Sequence, residues 1–228
     1  MIENEIAPVY SIAIIGGTGR EGKALASRWA KSGYQIIIGS RTIEKAIGVA
    51  DEICKILGGS GKVEGATNLD AAKRADIIVV TVPFAAHRQI LEEIKLDVQN
   101  KVLIDVTVPL VPPKVTKVQM PPDGSASLEA KKILGENVQV VTAFQNISYE
   151  NLIHDDEMEC DVFVCGGDIS ARRVVLELVK AAGLVGWDAG PLENSVVVEG
   201  LTSILIGINK QYGVQSAGIQ ITGIPRPK

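Results

Sequence analysis

The sequence predicts an α/β protein with a doubly wound parallel sheet and helices on both faces, and three observations carry that prediction. Short apolar runs recur within Ile12–Ile15, Gln35–Gly39, Asp76–Pro83, Lys101–Val108 and Val138–Phe144. Strands buried on both faces read this way, whereas a half-exposed strand alternates apolar with polar. Helical patterns separate the first runs, giving the strand, helix, strand order of βαβ units. The first run leads into Gly17, Gly19 and Gly22, the G-x-G-x-x-G spacing that opens a helix.

In such a turn the first glycine makes the tight bend and the second lets backbone N–H groups approach phosphate oxygens. The third lets helix pack closely on strand. The helix N-terminus then presents unpaired N–H groups and partial positive charge to an anion. The spacing alone is weak in a chain with 23 glycines; its place between a strand and a helix near the N-terminus turns it into a Rossmann-type dinucleotide site. Gly17, Thr18, Gly19, Arg20, Glu21 and Gly22 are its expected members.

A helix over Lys23–Lys31 carries Ala24, Leu25, Trp29 and Ala30 at helical spacing and stops at Ser32-Gly33. The strand Gln35–Gly39 completes the unit. An NAD site usually has Asp or Glu at this strand end to bind the ribose 2′-hydroxyl; here the chain reads Gly39-Ser-Arg-Thr-Ile-Glu-Lys45. Ser40, Arg41 and Thr42 instead suit a 2′-phosphate, with Arg41 as a charge-assisted partner. The competing reading makes Arg41 a surface charge and Thr42 a helix N-cap.

The next helix, Ile43–Leu57, is read with Ala46, Val49, Ala50, Ile53 and Ile56 inward, and ends at Gly58-Gly59. Val63–Ala66 reads as a short edge strand and Leu69–Arg74 as a short helix after Asn68. Asp76–Pro83 is a central strand whose Pro83 marks its carboxyl end. Ligands of doubly wound sheets lie beyond that end, so Thr81, Val82, Pro83 and Phe84 line the crevice with the glycine loop. Phe84 is read equally as cofactor border or as core. His87 is read as a satisfied helix histidine, since nothing nearby in sequence offers it a carboxylate.

Lys101–Val108 is the next strand. A proline-rich loop from Pro109 to Ser125 follows, long enough to be functional, and is expected to border the substrate. A helix near Ser127–Leu134 precedes the strand Val138–Phe144, which delivers Ala143 and Gln145–Tyr149 to the same carboxyl edge. Beyond it come the acidic His154–Glu159 run, read as a solvated loop with His154 an exposed bystander, and a strand at Asp161–Gly167. A helix begun by Asp168 turns Val174, Val175, Leu178 and Val179 inward, and a last strand spans Val185–Ala189. The closing helix, Ser195–Tyr212, has Val198, Leu201, Leu205, Ile206 and Ile208, too apolar for one exposed face. It closes the crevice, packs on a second subunit, or both.

At 228 residues, 46% hydrophobic and 22% charged, the chain is an ordinary globular protein. A net charge of −4 and 4% aromatic residues argue against nucleic-acid binding. No apolar run of about 18 residues is present, and the N-terminus is acidic, so a soluble cytoplasmic protein is expected. Cys54, Cys160 and Cys165 lack disulfide or zinc spacing and are read as reduced thiols, and no metal site is expected. No Ser-His-Asp set or paired carboxylates stand out. Hydride transfer between two bound cofactors needs none of these, only donor and acceptor held close in a dry crevice.

The segments Gly16–Gly22, Gly39-Ser-Arg41, Thr81-Val-Pro83, Val162–Gly166, Asp188-Ala-Gly-Pro-Leu192 and Val198-Glu-Gly-Leu-Thr202 occur in this order. In that order the chain resembles the NADPH-dependent coenzyme F420 reductases over nearly its whole length. The resemblance implies a Rossmann domain over residues 1–145 and a small C-terminal α/β domain over 146–228 that closes the crevice and dimerises. It also implies a homodimer and hydride exchange between NADPH and the deazaflavin F420. By position, the glycine loop with Thr18 binds pyrophosphate, and Ser40, Arg41, Thr42 and Lys45 bind the 2′-phosphate. Val82, Pro83, Phe84 and Ala143 border the cofactor, and Gln145, Ile147, Leu201, Thr202 and Leu205 face the second substrate. The chain departs from the family at Gln145-Asn-Ile-Ser148, where a His-x-Ile-Pro type sequence is typical, at Phe84, often Trp, and in the longer loop. Two alternatives stay open: an NADP-dependent reductase of an imine or carbonyl compound, and a non-catalytic NADP-binding redox sensor.

Overall fold

The computed structural model describes residues 10–59, 61–153 and 159–226. The acidic segment from His154 to Met158, and the N-terminal segment read for a leader, lie outside the described residues.

Eight strands alternate with eight helices: β1 (Ser11–Ile15), α1 (Arg20–Lys31), β2 (Gln35–Ser40), α2 (Ile43–Ile56), β3 (Val63–Thr67), α3 (Asn68–Arg74), β4 (Ile77–Val80), α4 (Phe84–Ile94), β5 (Val102–Asp105), α5 (Ala126–Leu134), β6 (Gln139–Thr142), α6 (Tyr149–Ile153), β7 (Asp161–Gly166), α7 (Ile169–Ala181), β8 (Val185–Asp188) and α8 (Ser195–Tyr212), counted among the described residues. The sheet order is β3-β2-β1-β4-β5-β6-β7-β8. The first six strands are parallel, with the order reversing between β1 and β4, and a doubly wound sheet places its ligand crevice at that reversal. β7 runs antiparallel to β6, pairing Thr142 with Cys165, and β8 is parallel to β7.

The apolar runs are continuous because both faces are covered. Ile12 and Ile14 join α1, α2 and α7 in one core layer, while Ala13 and Ile15 join α3, α4 and α5 in the other. Trp29 of α1 is fully buried; its indole N–H donates to the Leu178 carbonyl of α7 at 2.8 Å, and its ring meets Phe144 edge-on with centroids 5.7 Å apart. The end of β6 is thereby tied to α1.

Two amphipathic faces differ from the sequence reading. Ile56, the last residue of α2, is 66% exposed, and Val49 is only half-buried. On α8, Val198 and Leu205 are buried, but Leu201 and Ile206 are half-buried and Ile208 faces outward. The loop between β5 and α5 lies over α8, with Val118 against Gly200 and Thr116 near Gly207. The three cysteines are free thiols, and burial pushes Cys165 up to about 12, which leaves it an unreactive core group.

Candidate functional site

The glycine loop is shaped by two close approaches. Gly16 has φ +75°, where a Cβ would strike the Val82 side chain. At Gly22 a Cβ would lie 2.6 Å from the Thr81 hydroxyl and 2.9 Å from Gly17 Cα, so α1 packs on β1 and β4 only through glycine. Gly19, at the α1 N-cap, meets little there, and the space in front of the helix N-terminus is open to an anion. The helix starts at Arg20, three residues before the periodicity predicts, because Gly19 already has extended capping geometry.

A cavity of about 250 Å³ opens at this loop, lined on one side by Gly16, Thr18, Gly19 and Asn68 and on another by Ser40, Arg41, Thr42 and Lys45. Val82 and Pro83 close it from β4. Ser40 is buried and its Oγ accepts the Thr42 backbone N–H at 3.2 Å, which fixes the strand end. Thr42 stands at the α2 N-cap but makes no side-chain cap. Arg41 is exposed, and neither it nor Lys45 makes a side-chain hydrogen bond or ion pair among the described residues, so two cations face this end of the cavity unneutralised. These residues fit a 2′-phosphate.

Asn68 is the member that the sequence reading missed, taking it only as the residue before a helix. It is buried, and its Oδ1 accepts the Gly16 N–H at 3.2 Å. The same oxygen would lie 3.0 Å from a Cβ on Gly39. No local pattern announces a partner 52 residues away. Arg20 turns from the loop to hydrogen-bond Tyr149 Oη at 2.5 Å and stands 5.1 Å from that ring's centroid. Glu21, half-buried in the first turn of α1, is pushed up to about 8 by burial and is not among the residues lining the cavity.

Across the crevice the expected second-substrate residues come together, but mostly through buried side chains. Gln145 donates its side-chain amide to the Asp105 backbone carbonyl, and its own backbone carbonyl accepts the Thr202 hydroxyl at 2.7 Å. Ile147 and Leu205 are 7% exposed, and Leu201 and Thr202 are half-buried. Phe144, just before them, has φ +75°, a conformation rare for a bulky residue, and is held there by packing on Trp29. Ala143 is fully buried in the same core layer, and Phe84 is half-buried in the first turn of α4, ring to ring with His87 at 6.1 Å.

His87 does have a carboxylate, contrary to the sequence reading. It is fully buried, its Nε2 lies 2.8 Å from Asp105 Oδ2, and its Nδ1 lies 3.9 Å from Glu129 Oε1. The partner comes from β5, a strand end that only the fold brings beside α4. Burial, the largest single influence, lowers the His87 pKa; the Asp105, Glu129 and Glu199 carboxylates together outweigh it and the net shift is upward. The other Asp105 oxygen accepts the Thr107 N–H at 3.0 Å, so one buried pair fixes the exits of β4 and β5.

Glu199 of α8 is buried against the start of α5, accepting from the Ala126 and Ser127 N–H groups at 2.7 and 3.0 Å and from the Ser127 hydroxyl at 2.9 Å. Burial and the charge of Asp105 nevertheless push its carboxyl from 4.5 up to about 7. A folded pKa above the unfolded value contributes stability that is complete below pH 4.5 and is lost as pH rises through 7. The span corresponds to on the order of 3 kcal/mol. The melting midpoint of Glu199→Gln is therefore expected to gain on the parent between pH 5 and 8, and parallel curves for the two proteins would contradict this.

Comparison with known proteins follows the same lines. Residues 11–109 match the family model described as NADP oxidoreductase coenzyme F420-dependent. The F420-dependent NADP reductase of Methanothermobacter thermautotrophicus is 41% identical over 224 residues, covering 95% of this chain and 97% of that protein. The protein of the same name from Methanocaldococcus jannaschii is 38% identical over 221 residues, covering 93% and 98%. A crystal structure from Arthrobacter sp. FB24 superposes with TM-score 0.78 at 23% identity over 94% of this chain and all of that one, a likeness of fold.

Proposed function

Because the chain belongs to the family of F420-dependent NADP reductases, we propose that it transfers a hydride between NADP(H) and coenzyme F420. The observation that carries the NADP half is the end of β2, where Ser40 is followed by Arg41 in the place of a carboxylate and Lys45 joins it in the cavity lining while Glu44 does not. NADP and F420 supply the hydride donor and acceptor carbons. The protein supplies a pyrophosphate seat at the α1 N-terminus, a phosphate clamp at Arg41 and Lys45, and a crevice with buried walls.

In this reading residues 1–145 hold NADP, and residues 146–228 close the crevice and join two copies. The sheet itself runs on across that boundary through β7 and β8. A homodimer would cover the apolar residues left outside on α8, where Val197 is 65%, Ile204 50% and Tyr212 70% exposed. No described helix is long and apolar enough to cross a membrane, and a cytoplasmic location is part of the proposal. The second substrate contacts the face made by Gln145, Ile147, Leu201, Thr202 and Leu205.

The test is spectroscopic. Protein, NADPH and oxidised F420 are mixed and the deazaflavin absorbance is followed. Bleaching with turnover is expected. Tight NADPH binding without bleaching would reject F420 as the substrate and favour an imine or carbonyl reductase or a redox sensor.

A further inference from the structure

The chain after α8 turns at Gly213, in left-handed conformation, and runs back beside the crevice loop between β6 and α6. Gln215 accepts the Ser148 hydroxyl at 3.1 Å, Gly218 lies so close to Cys160 that a Cβ would sit 2.5 Å from that side chain, and Ile219 accepts the Asp161 N–H at 2.7 Å. Everything converges on Asp161, the fully buried first residue of β7. One carboxylate oxygen accepts the Ile221 N–H at 2.7 Å and the Trp187 indole N–H at 2.8 Å; the other pairs with Arg226 Nη2 at 2.6 Å. A buried carboxylate with three such contacts is held in one orientation.

Asp161 also holds the crevice loop. Its carbonyl accepts the Asn146 side-chain amide at 2.6 Å, and Asn146 is buried. The adjacent Gln145 is held in the same way by the carbonyl of Asp105, whose carboxylate pairs with His87. The turn Phe144–Ser148 thus hangs between two aspartates, each paired with a basic side chain from another part of the chain. One, His87, sits in the dinucleotide half. The other, Arg226, is in the tail.

We propose that Arg226 is a positioning residue for the second substrate, acting through Asp161 and Asn146 to fix the turn at Gln145–Ser148. This rests on the function proposed above. Among the described residues, none of the tail lines the dinucleotide cavity, whose lining comes from the glycine loop, the β2 end, Asn68 and the β4 exit. Its effect falls on one ligand only. Loosening Asp161 lets the turn drift without unseating NADP, and misplacement on the order of 1 Å at a reacting site costs on the order of a hundredfold.

The experiment compares wild type, Arg226→Ala and Arg226→Lys for F420 KM, kcat and NADPH dissociation constant, with melting midpoints alongside. Arg226→Ala is expected to raise the F420 KM about ten- to a hundredfold, with NADPH affinity within about twofold of wild type, and Arg226→Lys to recover most of the loss. An unchanged F420 KM and kcat, an equal loss for both ligands, or a fall in midpoint without a ligand-selective change would overturn the proposal. Should Arg226→Ala fail to fold, Asn146→Ala carries the same comparison without disturbing the ion pair. Failure of wild type to turn over F420 is a separate result, which removes the proposed function itself.

Discussion

Arg41→Glu weakens NADPH binding by about a hundredfold or more and leaves NADH binding within a few-fold of wild type. Arg41 follows the buried Ser40 at the end of β2, lines the cavity, and has no competing partner among the described residues. A charge-assisted contact to a phosphate is worth about 1.5–3 kcal/mol, and reversing the charge adds repulsion, so the sum exceeds the roughly 2.8 kcal/mol that a hundredfold requires. NADH has no 2′-phosphate for Arg41 to hold or Glu to repel. Fluorescence titration with both dinucleotides checks this, and equal losses would contradict the assignment of the β2 end to the 2′-phosphate.

The second large effect is on stability. His87→Leu leaves the Asp105 carboxylate fully buried with its imidazole partner gone. Breaking a buried pair from one side typically costs about 3–5 kcal/mol, whereas removing both charges costs much less. For a chain of this size that is a fall in melting midpoint on the order of 10 °C. The double variant His87→Leu with Asp105→Asn is expected to recover a substantial part of it. A single variant that melts like the parent would show that the pair is not ionised, contrary to the upward shift at His87.

These two sites were unequally legible in sequence. The β1, α1, β2 unit with its glycines is local: every signal lies within about 30 residues, in the period of the apolar runs and in the chemistry of the strand end. Residues Ser195–Tyr212 form the closing helix as read, since its apolar content leaves few other options. What sequence could not supply is polar pairing across the fold. Asp105 reads as part of an apolar strand, and only the pairing of β4 with β5 sets it beside His87. Asn68 and Gly16 are 52 residues apart, and Arg226 and Asp161 are 65 apart. The direction of β7 was equally hidden, because an apolar run carries no sign of whether its neighbour is parallel. The inward faces of α2 and α8 were overdrawn for a related reason. Periodicity places Ile56 and Ile208 on the apolar stripe, but it does not say how far along each helix that stripe is covered.

The proposed function requires direct hydride transfer between NADP held at the α1 N-terminus and F420 held at the Gln145–Ser148 turn. NADPH deuterated at the nicotinamide C4, in separate 4R and 4S forms, is incubated with the protein and oxidised F420 in ordinary water, and the reduced deazaflavin is examined by mass spectrometry. Direct transfer predicts deuterium in the product from one of the two forms and none from the other. Reduced deazaflavin without deuterium from either form, or no reduced deazaflavin at all, would contradict it.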